Sequence, residues 1–258
     1  MSGRAIAVVT GASSGIGLAI AEALAAADHD VIVAANTPLA TQQDIAARLA
    51  DAHGIRAAGF EVEIADRESV AKFATDVLDA FGAIDLLVNN AAIWTTTDPG
   101  VTALDEFDAL VDVNLKGPYY VTHHFLPSML ARGRGNIVFI GSVSGIAGDP
   151  NSAAYSANKA GIAMLARTLA ARLGPRGLRI NAIAPGAVAT PLTAPLQTPE
   201  GAVIIEQMMK SHPSPTRRFF MEPGEIARLV LFLASDASSA LHGAVLVADQ
   251  GLSAALPA

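Results

Sequence analysis

The chain contains no cysteine, which removes disulfides, thiol nucleophiles and cysteine-ligated metals and fits a reducing cytosol. Charge is scarce too. Asp, Glu, Lys and Arg make up only 16% of the 258 residues, against ~25% in an average soluble protein, while apolar residues make up 52%. Much of the surface of such a chain must be buried, either in its own core or between subunits, so an oligomer is expected. Within this small charged complement 24 acidic residues outnumber 17 basic ones, a net charge of -7. Nucleic acids and anionic membranes are held through clustered Lys and Arg, so neither is expected as a partner and small molecules are. The six histidines are scattered, and the adjacent His123 and His124 point in different directions on a helix, so no metal site is expected.

Uninterrupted apolar runs are also missing. Residues 5–21 are uncharged, but Thr10, Ser13, Ser14 and three glycines interrupt them, so they are not read as a signal peptide. Residues 180–199 are uncharged as well, yet Pro185, Pro191, Pro195 and Pro199 rule out a spanning helix. A soluble, cytoplasmic protein without a membrane segment is the expectation.

What the chain does have is a regular alternation. Short apolar runs at 6–9, 31–35, 56–62, 84–88, 136–140, 179–183 and 244–247 read as strands. Helical patterns fall between them at 18–27, 40–52, 67–81, 103–131, 153–173 and 223–233. Strands that lack polar alternation are buried on both faces. The predicted fold is therefore α/β: one domain over 1–258, with a parallel sheet of seven strands and helices on both faces. One segment breaks the rhythm. Residues 189–221, proline-rich and carrying Met208, Met209, His212, Phe219 and Phe220, are too long for an ordinary connection. They are read as a lid over an apolar substrate, with a short helix near 200–210; a plain surface loop is the alternative.

The chemistry centres on Tyr155 and Lys159, four apart on the helix 153–173, for which Asn151 and Ser152 offer an N-cap. A phenol titrates near ~10 and an ammonium near ~10.4, so neither alone moves protons well at neutral pH. Their proximity is expected to lower the phenol toward neutrality, making it a general acid and base, with Ser142 at a strand end holding the substrate oxygen. Residues 11–17 open a helix directly after the first strand, the context in which backbone N–H groups bind a pyrophosphate. Taken singly, a Tyr–Lys pair is common on helices and a glycine turn is often only a turn.

Taken together, the motifs resemble those of the short-chain dehydrogenase/reductase family over nearly the whole chain. Thr10-Gly11-Ala12-Ser13-Ser14-Gly15-Ile16-Gly17 resembles its cofactor fingerprint, and Asn89-Asn90-Ala91-Ala92 its strand-four motif, with Ala92 where glycine is usual. Asn114, Ser142, Tyr155 and Lys159 fall in the order of its catalytic tetrad, and 185–190 is similar to the segment that closes over nicotinamide. The resemblance implies a Rossmann-like, doubly wound sheet of order 3-2-1-4-5-6-7 and a nicotinamide dinucleotide across the carboxyl ends of its strands.

It further implies that Tyr155 is the general acid or base, that Ser142 orients the substrate oxygen, and that Lys159 supports Tyr155 and the ribose. Asn114 would anchor a water, or else bond the kinked helix backbone. The implied cofactor residues are Gly11, Ser13, Ser14, Gly15, Ile16, Gly17, Asn36, Thr37, Asn90, Ala91, Tyr155, Lys159, Pro185, Gly186, Val188 and Thr190, with Glu61 and Val62 beside adenine. At the end of the second strand Ala35-Asn36-Thr37 carries neither the acid that selects NAD(H) nor the arginine that clamps a phosphate. NADP(H) is favoured over NAD(H) on the donors Asn36, Thr37 and Ser13.

Trp94 and Asp149 are candidates to meet substrate, a core or interface role and a helix-entry turn being the respective alternatives. The implied activity is hydride transfer between a carbonyl and a secondary alcohol, most simply a ketone or aldehyde reductase acting on a small or medium, rather apolar substrate. A 3-oxoacyl-carrier-protein reductase would need a basic docking face at Arg132, Arg134 and Arg172. A catalytically idle cofactor-binding sensor or scaffold is the remaining alternative. A homotetramer or dimer is implied, built on the long helices after strands four and five and on the last strand. Asp249-Gln250-Gly251 departs from the family's Asp-Gly-Gly, which bears on that packing.

Overall fold

The computed structural model describes residues 3–98, 100–209 and 214–254. Strands β1 (Ile6–Thr10), β2 (Asp30–Ala35), β3 (Ala57–Glu61) and β4 (Leu86–Asn89) alternate with helices α1 (Gly15–Ala26), α2 (Leu39–His53) and α3 (Arg67–Phe81). After β4 come α4 (Leu104–Val111), a π-helical turn Asp112–Lys116 and α5 (Gly117–Arg132), then β5 (Gly135–Ile140). The long helical region expected over 103–131 is helical without a gap over 104–132, in these three pieces, and Asn114 sits on the π turn. A short α6 (Ser144–Ala147) precedes α7 (Ala153–Leu173), which spans the predicted residues, and then β6 (Leu178–Pro185). A 3-10 stretch Pro191–Gln197, α8 (Pro199–Met209), α9 (Pro223–Ala234) and β7 (Val245–Ala248) complete the order. His212 and position 210, both part of the lid expectation, lie outside the described residues.

All seven strands are parallel, in the order β3-β2-β1-β4-β5-β6-β7. The side-chain period of two sends alternate residues of each strand to opposite faces. Ile6 and Val8 join Val70, Phe73, Phe125 and Ile162 on the face covered by α3, α5 and α7. Ala7 and Val9 join Ile20, Leu24, Ile45 and Val230 on the face covered by α1, α2 and α9. With both faces buried, the strands need apolar residues at every position, which is why they read as short continuous runs. The chain order reverses direction across the sheet between β1 and β4, and the crevice opens there, at the carboxyl ends of the strands.

Candidate active site

A cavity of about 910 Å³ runs along those strand ends. At one end the β1–α1 loop, the β2 end and the residues after β3 form its wall; at the other, Ser142, Tyr155 and Lys159 do. The loops are locked together by side chains. Thr10 Oγ1 accepts hydrogen bonds from the N–H groups of Asn90 and Ala91 (3.0 and 3.2 Å), and Asn90 Nδ2 donates to the carbonyls of Thr10 and Gly11 (2.9 and 3.2 Å).

This closeness demands glycine. Gly11 has φ +64°, and a Cβ there would lie 2.7 Å from Ala91 Cα; at Gly17 it would lie 2.2 Å from the Gly11 oxygen. Ser14 is extended and its side chain does not cap α1, so the first turn of α1 opens onto the cavity. A cradle of backbone N–H groups at a helix start, too tight for any Cβ, suits a pyrophosphate. The residues present therefore fit a nicotinamide dinucleotide.

Of the implied cofactor residues, Gly11, Ser13, Ser14, Gly15, Ile16, Asn36, Thr37, Val62, Asn90, Ala91, Pro185, Gly186, Val188 and Thr190 line the cavity. Gly17 does not: it is buried and lets α1 pack against the loop and Asn90. Nor does the cavity meet Glu61, whose carboxylate accepts from Leu39 N–H at 2.9 Å and so holds the start of α2. The carboxylate on the wall at this end is Glu63, two residues on, with Ile64 beside it. β3 ends at Glu61 and the chain then turns: Asp66 caps α3 by accepting from Glu68 N–H. Counting back from that cap, rather than forward along the strand, would have found Glu63. Asn36 Nδ2 donates to Glu63 Oε2 at 3.3 Å, and Thr37 Oγ1 accepts from Gln42 Nε2.

At the reacting end Lys159 Nζ donates to the Ile140 carbonyl at 3.0 Å and lies 5.5 Å from the centre of the Tyr155 ring. Ser142 Oγ accepts from Ser144 N–H at 3.1 Å and lines the same end of the cavity as the Tyr155 phenol. Both titratable groups are buried, Tyr155 at 8% exposed and Lys159 at 3%. Burial pushes the phenol up to about 12, the Ser142 hydroxyl lowering and the Asp149 charge raising it; burial pushes Lys159 down to about 8. The expected descent of Tyr155 toward neutrality is therefore overturned. Desolvation opposes charge on both partners, and the ammonium is committed to a backbone carbonyl.

Asn114 does not line the cavity. Fully buried, it accepts from Ile93 N–H and donates to the Ile93 carbonyl, both at 2.9 Å, and so fixes the wall after β4. The bond to its own helix backbone, the alternative expected for it, is not the one formed: its partner is the loop after β4. Ser152 stands at the N-cap of α7 but makes no side-chain cap; its Oγ donates to the Thr95 carbonyl at 3.4 Å instead. Trp94 lines the cavity and also packs against Leu110, Ala154 and Tyr155. Further wall residues were not singled out as binding residues by the sequence: Ile93, Leu192, Leu196, Ile205, Leu252 and Ser253. Three of these, and Phe219 with them, belong to the 189–221 segment. Lys159 is the only basic residue among the described residues lining it.

A family model described as "Enoyl-(Acyl carrier protein) reductase" matches residues 11–253. The chain is 34% identical over 251 residues to a 3-oxoacyl-[acyl-carrier-protein] reductase of Thermotoga maritima, covering 96% of this chain and 97% of that protein. It is 38% identical over 254 residues to the cis-4-hydroxycyclohexanecarboxylate dehydrogenase of Sinomonas cyclohexanicum, covering 96% of each. Among solved structures, a putative NAD(P)-dependent gluconate 5-dehydrogenase from Beutenbergia cavernae, with NADP bound at low occupancy, matches at TM-score 0.89 and 37% identity over 98% of both chains. Levodione reductase matches at TM-score 0.90 and 31% identity, again over 98% of both.

Proposed function

Since the chain belongs to the short-chain dehydrogenase/reductase family and is an oxidoreductase of that family, we propose that it works as a carbonyl reductase on a small or medium, largely apolar substrate. The observation that carries this reading is the convergence of Ser142, Tyr155 and Lys159 at one end of a cavity whose other end is the Gly11–Gly15 cradle. The bound nicotinamide would supply the hydride.

The chain's own residues handle the oxygen. Ser142 and Tyr155 hydrogen-bond the carbonyl oxygen, and Tyr155 gives up its proton as negative charge develops there. A phenol held near 12 is fully protonated at neutral pH, as a proton donor must be. The phenolate left behind lies near Lys159, which with a pKa near 8 can return a proton at neutral pH. Asn114 positions the β4 wall, and Trp94 flanks the substrate. Residues 189–221 act as a lid whose apolar wall sets the substrate's character.

NADP(H) is favoured over NAD(H) in this reading. Asn36, Thr37 and Ser13 offer donors to a 2'-phosphate, and no carboxylate stands at 35–37. Glu63 is the opposing charge. The protein acts in the cytoplasm as a homotetramer or dimer, on small molecules alone. Among the described residues no helix is long and apolar enough to cross a membrane.

A carrier-protein substrate is placed second. The relatives named as carrier-protein reductases support it, but Arg132 and Arg134 both reach Asp85, at 2.9 and 3.5 Å, which offsets part of the positive charge of the expected docking face. An idle sensor is disfavoured by the intact Ser142, Tyr155 and Lys159.

The test is NADPH and NADH oxidation against ketones, diketones, keto esters, sugars and an acetoacetyl thioester, with Tyr155→Phe in parallel. Turnover by the wild type is expected, with a loss of about a thousandfold in Tyr155→Phe at retained cofactor binding; general acid–base catalysis supplies 10²–10⁴-fold, about that much. Cofactor binding without turnover of any carbonyl, or wild-type rates in the variant, would overturn the reading.

A further inference from the structure

Among the described residues Asp149 is the one acidic side chain lining the reacting end of the cavity, and its backbone is tied to the start of α7. Its N–H donates to Ser156 Oγ on α7 at 3.1 Å, and its carbonyl accepts from Ser152 N–H at 3.1 Å. Oδ1 accepts from Asn151 N–H at 3.0 Å, whereas Oδ2 has no hydrogen-bond partner among the described residues. The half-buried carboxylate thus stands between the Ser142 and Tyr155 elements with one oxygen engaged and one open.

On the cavity wall the apolar Ile93, Trp94, Leu192 and Phe219 are joined by uncharged polar residues, Thr96, Ser144 and Asn151. The only cation there, Lys159, is held by the Ile140 carbonyl. A carboxylate so close to the phenol also opposes formation of a phenolate, which is the state Tyr155 must pass through. No described residue of the chain donates to Oδ2, so a substrate carrying a donor group would satisfy it, and an ammonium would in addition offset the charge that opposes the phenolate. An anionic substrate group would instead be repelled.

We infer that Asp149 selects the substrate, accepting a hydrogen bond from a hydroxyl or ammonium group carried on an otherwise apolar carbonyl compound. The inference rests on the reductase reading above. Asp149 binds and orients; proton transfer stays with Tyr155. Because the carboxylate is preorganised by its loop, the donor is recognised at a set distance from the reacting carbon, so positional isomers are discriminated.

The experiment compares cyclohexanone with its 2-, 3- and 4-hydroxy derivatives, with 4-aminocyclohexanone and with 4-oxocyclohexanecarboxylate, for wild type, Asp149→Ala and Asp149→Asn. NADPH binding by fluorescence confirms that each variant is folded. A hydrogen bond to a charged group is worth about tenfold or more in binding. At least one hydroxy isomer or the amine is therefore expected to exceed cyclohexanone by about tenfold in kcat/KM with wild type, chiefly through KM, and the carboxylate to fall below it.

In Asp149→Ala that selectivity ratio falls to about one. Asp149→Asn keeps an acceptor oxygen but no charge, so it retains part of a hydroxyl preference and loses an ammonium preference, which tells the two donors apart. Equal selectivity in wild type and Asp149→Ala, or no preference for any donor-bearing ketone, would overturn the inference while leaving the reductase reading intact. Cofactor binding with no turnover of any ketone would overturn both.

Discussion

Tyr155 and Lys159 show how far a residue pattern reaches. Their spacing places them on one turn of α7, yet the spacing says nothing of burial, and burial decides the titration of both. Lys159 is lowered from an ordinary 10.5 to about 8, so the folded protein releases a proton that the unfolded chain still holds between those values. Stability must rise with pH across that window, and the cost of the buried ammonium is present in full below it. Relative to Lys159→Met, the wild type is therefore expected to gain about 2–3 kcal/mol between pH 7.5 and pH 10, at ~1.4 kcal/mol per pKa unit. Urea midpoints at the two pH values read this directly; parallel curves for the two proteins would mean that Lys159 stays charged in the folded state. At the other end of the cavity, Asn36→Asp adds a carboxylate beside Glu63. It is expected to shift the kcat/KM ratio about tenfold or more from NADPH toward NADH, and an unchanged ratio would show that the β2 end does not meet the ribose.

At the scale of elements, strands and helices were legible because strands buried on both faces are apolar throughout and the helices between them are not. What could not be read was register at the ends. Glu61 and Glu63 differ by two positions, the same side of a strand, and only the turn after β3 separates a residue that caps α2 from one that faces the cavity. Within 103–131, Gly117-Pro118 marks the start of α5 in the sequence, but nothing in the residues before it announces the π turn Asp112–Lys116. Gln250 is a third case. Its departure from the family's glycine reads as a packing matter, but the structure puts it at φ +55°, with its side-chain oxygen accepting from Ser214 Oγ and Thr216 Oγ1. A backbone that favours glycine is kept by a residue whose side chain ties the far limb of 189–221 to the C-terminal segment, where Leu252 and Ser253 line the cavity. Gln250→Gly trades those bonds for a relaxed backbone, so its stability is expected to stay within about 1 kcal/mol of wild type. KM for the carbonyl substrate should rise several-fold, and trypsin should cut faster at Arg217 and Arg218. An unchanged KM and an unchanged digestion rate together would show that the tie does not govern the cover.

Across the whole molecule, large apolar side chains are exposed on the helices beside β4 and β5, on α4 interleaved with the exposed Asp105, Glu106 and Asp108. Leu104 is 80% exposed and Phe107 44%, both on α4, with Met164 on α7 at 57% and Tyr119 on α5 at 51%. These helices flank β4 and β5, and a second copy of the chain burying their apolar side chains would remove this surface from water at roughly 25 cal/mol per Å². The consequence reaches the reacting groups, because Leu110 on the inner side of α4 packs against Ala154, Tyr155 and Trp94. Association that steadies α4 therefore steadies the phenol. Replacing Leu104→Glu and Phe107→Glu together places two carboxylates on that surface. Light scattering on the wild type is expected to give a tetramer or dimer, and the double variant a smaller species whose kcat falls several-fold while its cofactor affinity changes little. A double variant that keeps the wild-type mass would place the subunit contact elsewhere, and one that becomes monomeric at full kcat would show that α4 holds Tyr155 without help from a neighbouring subunit.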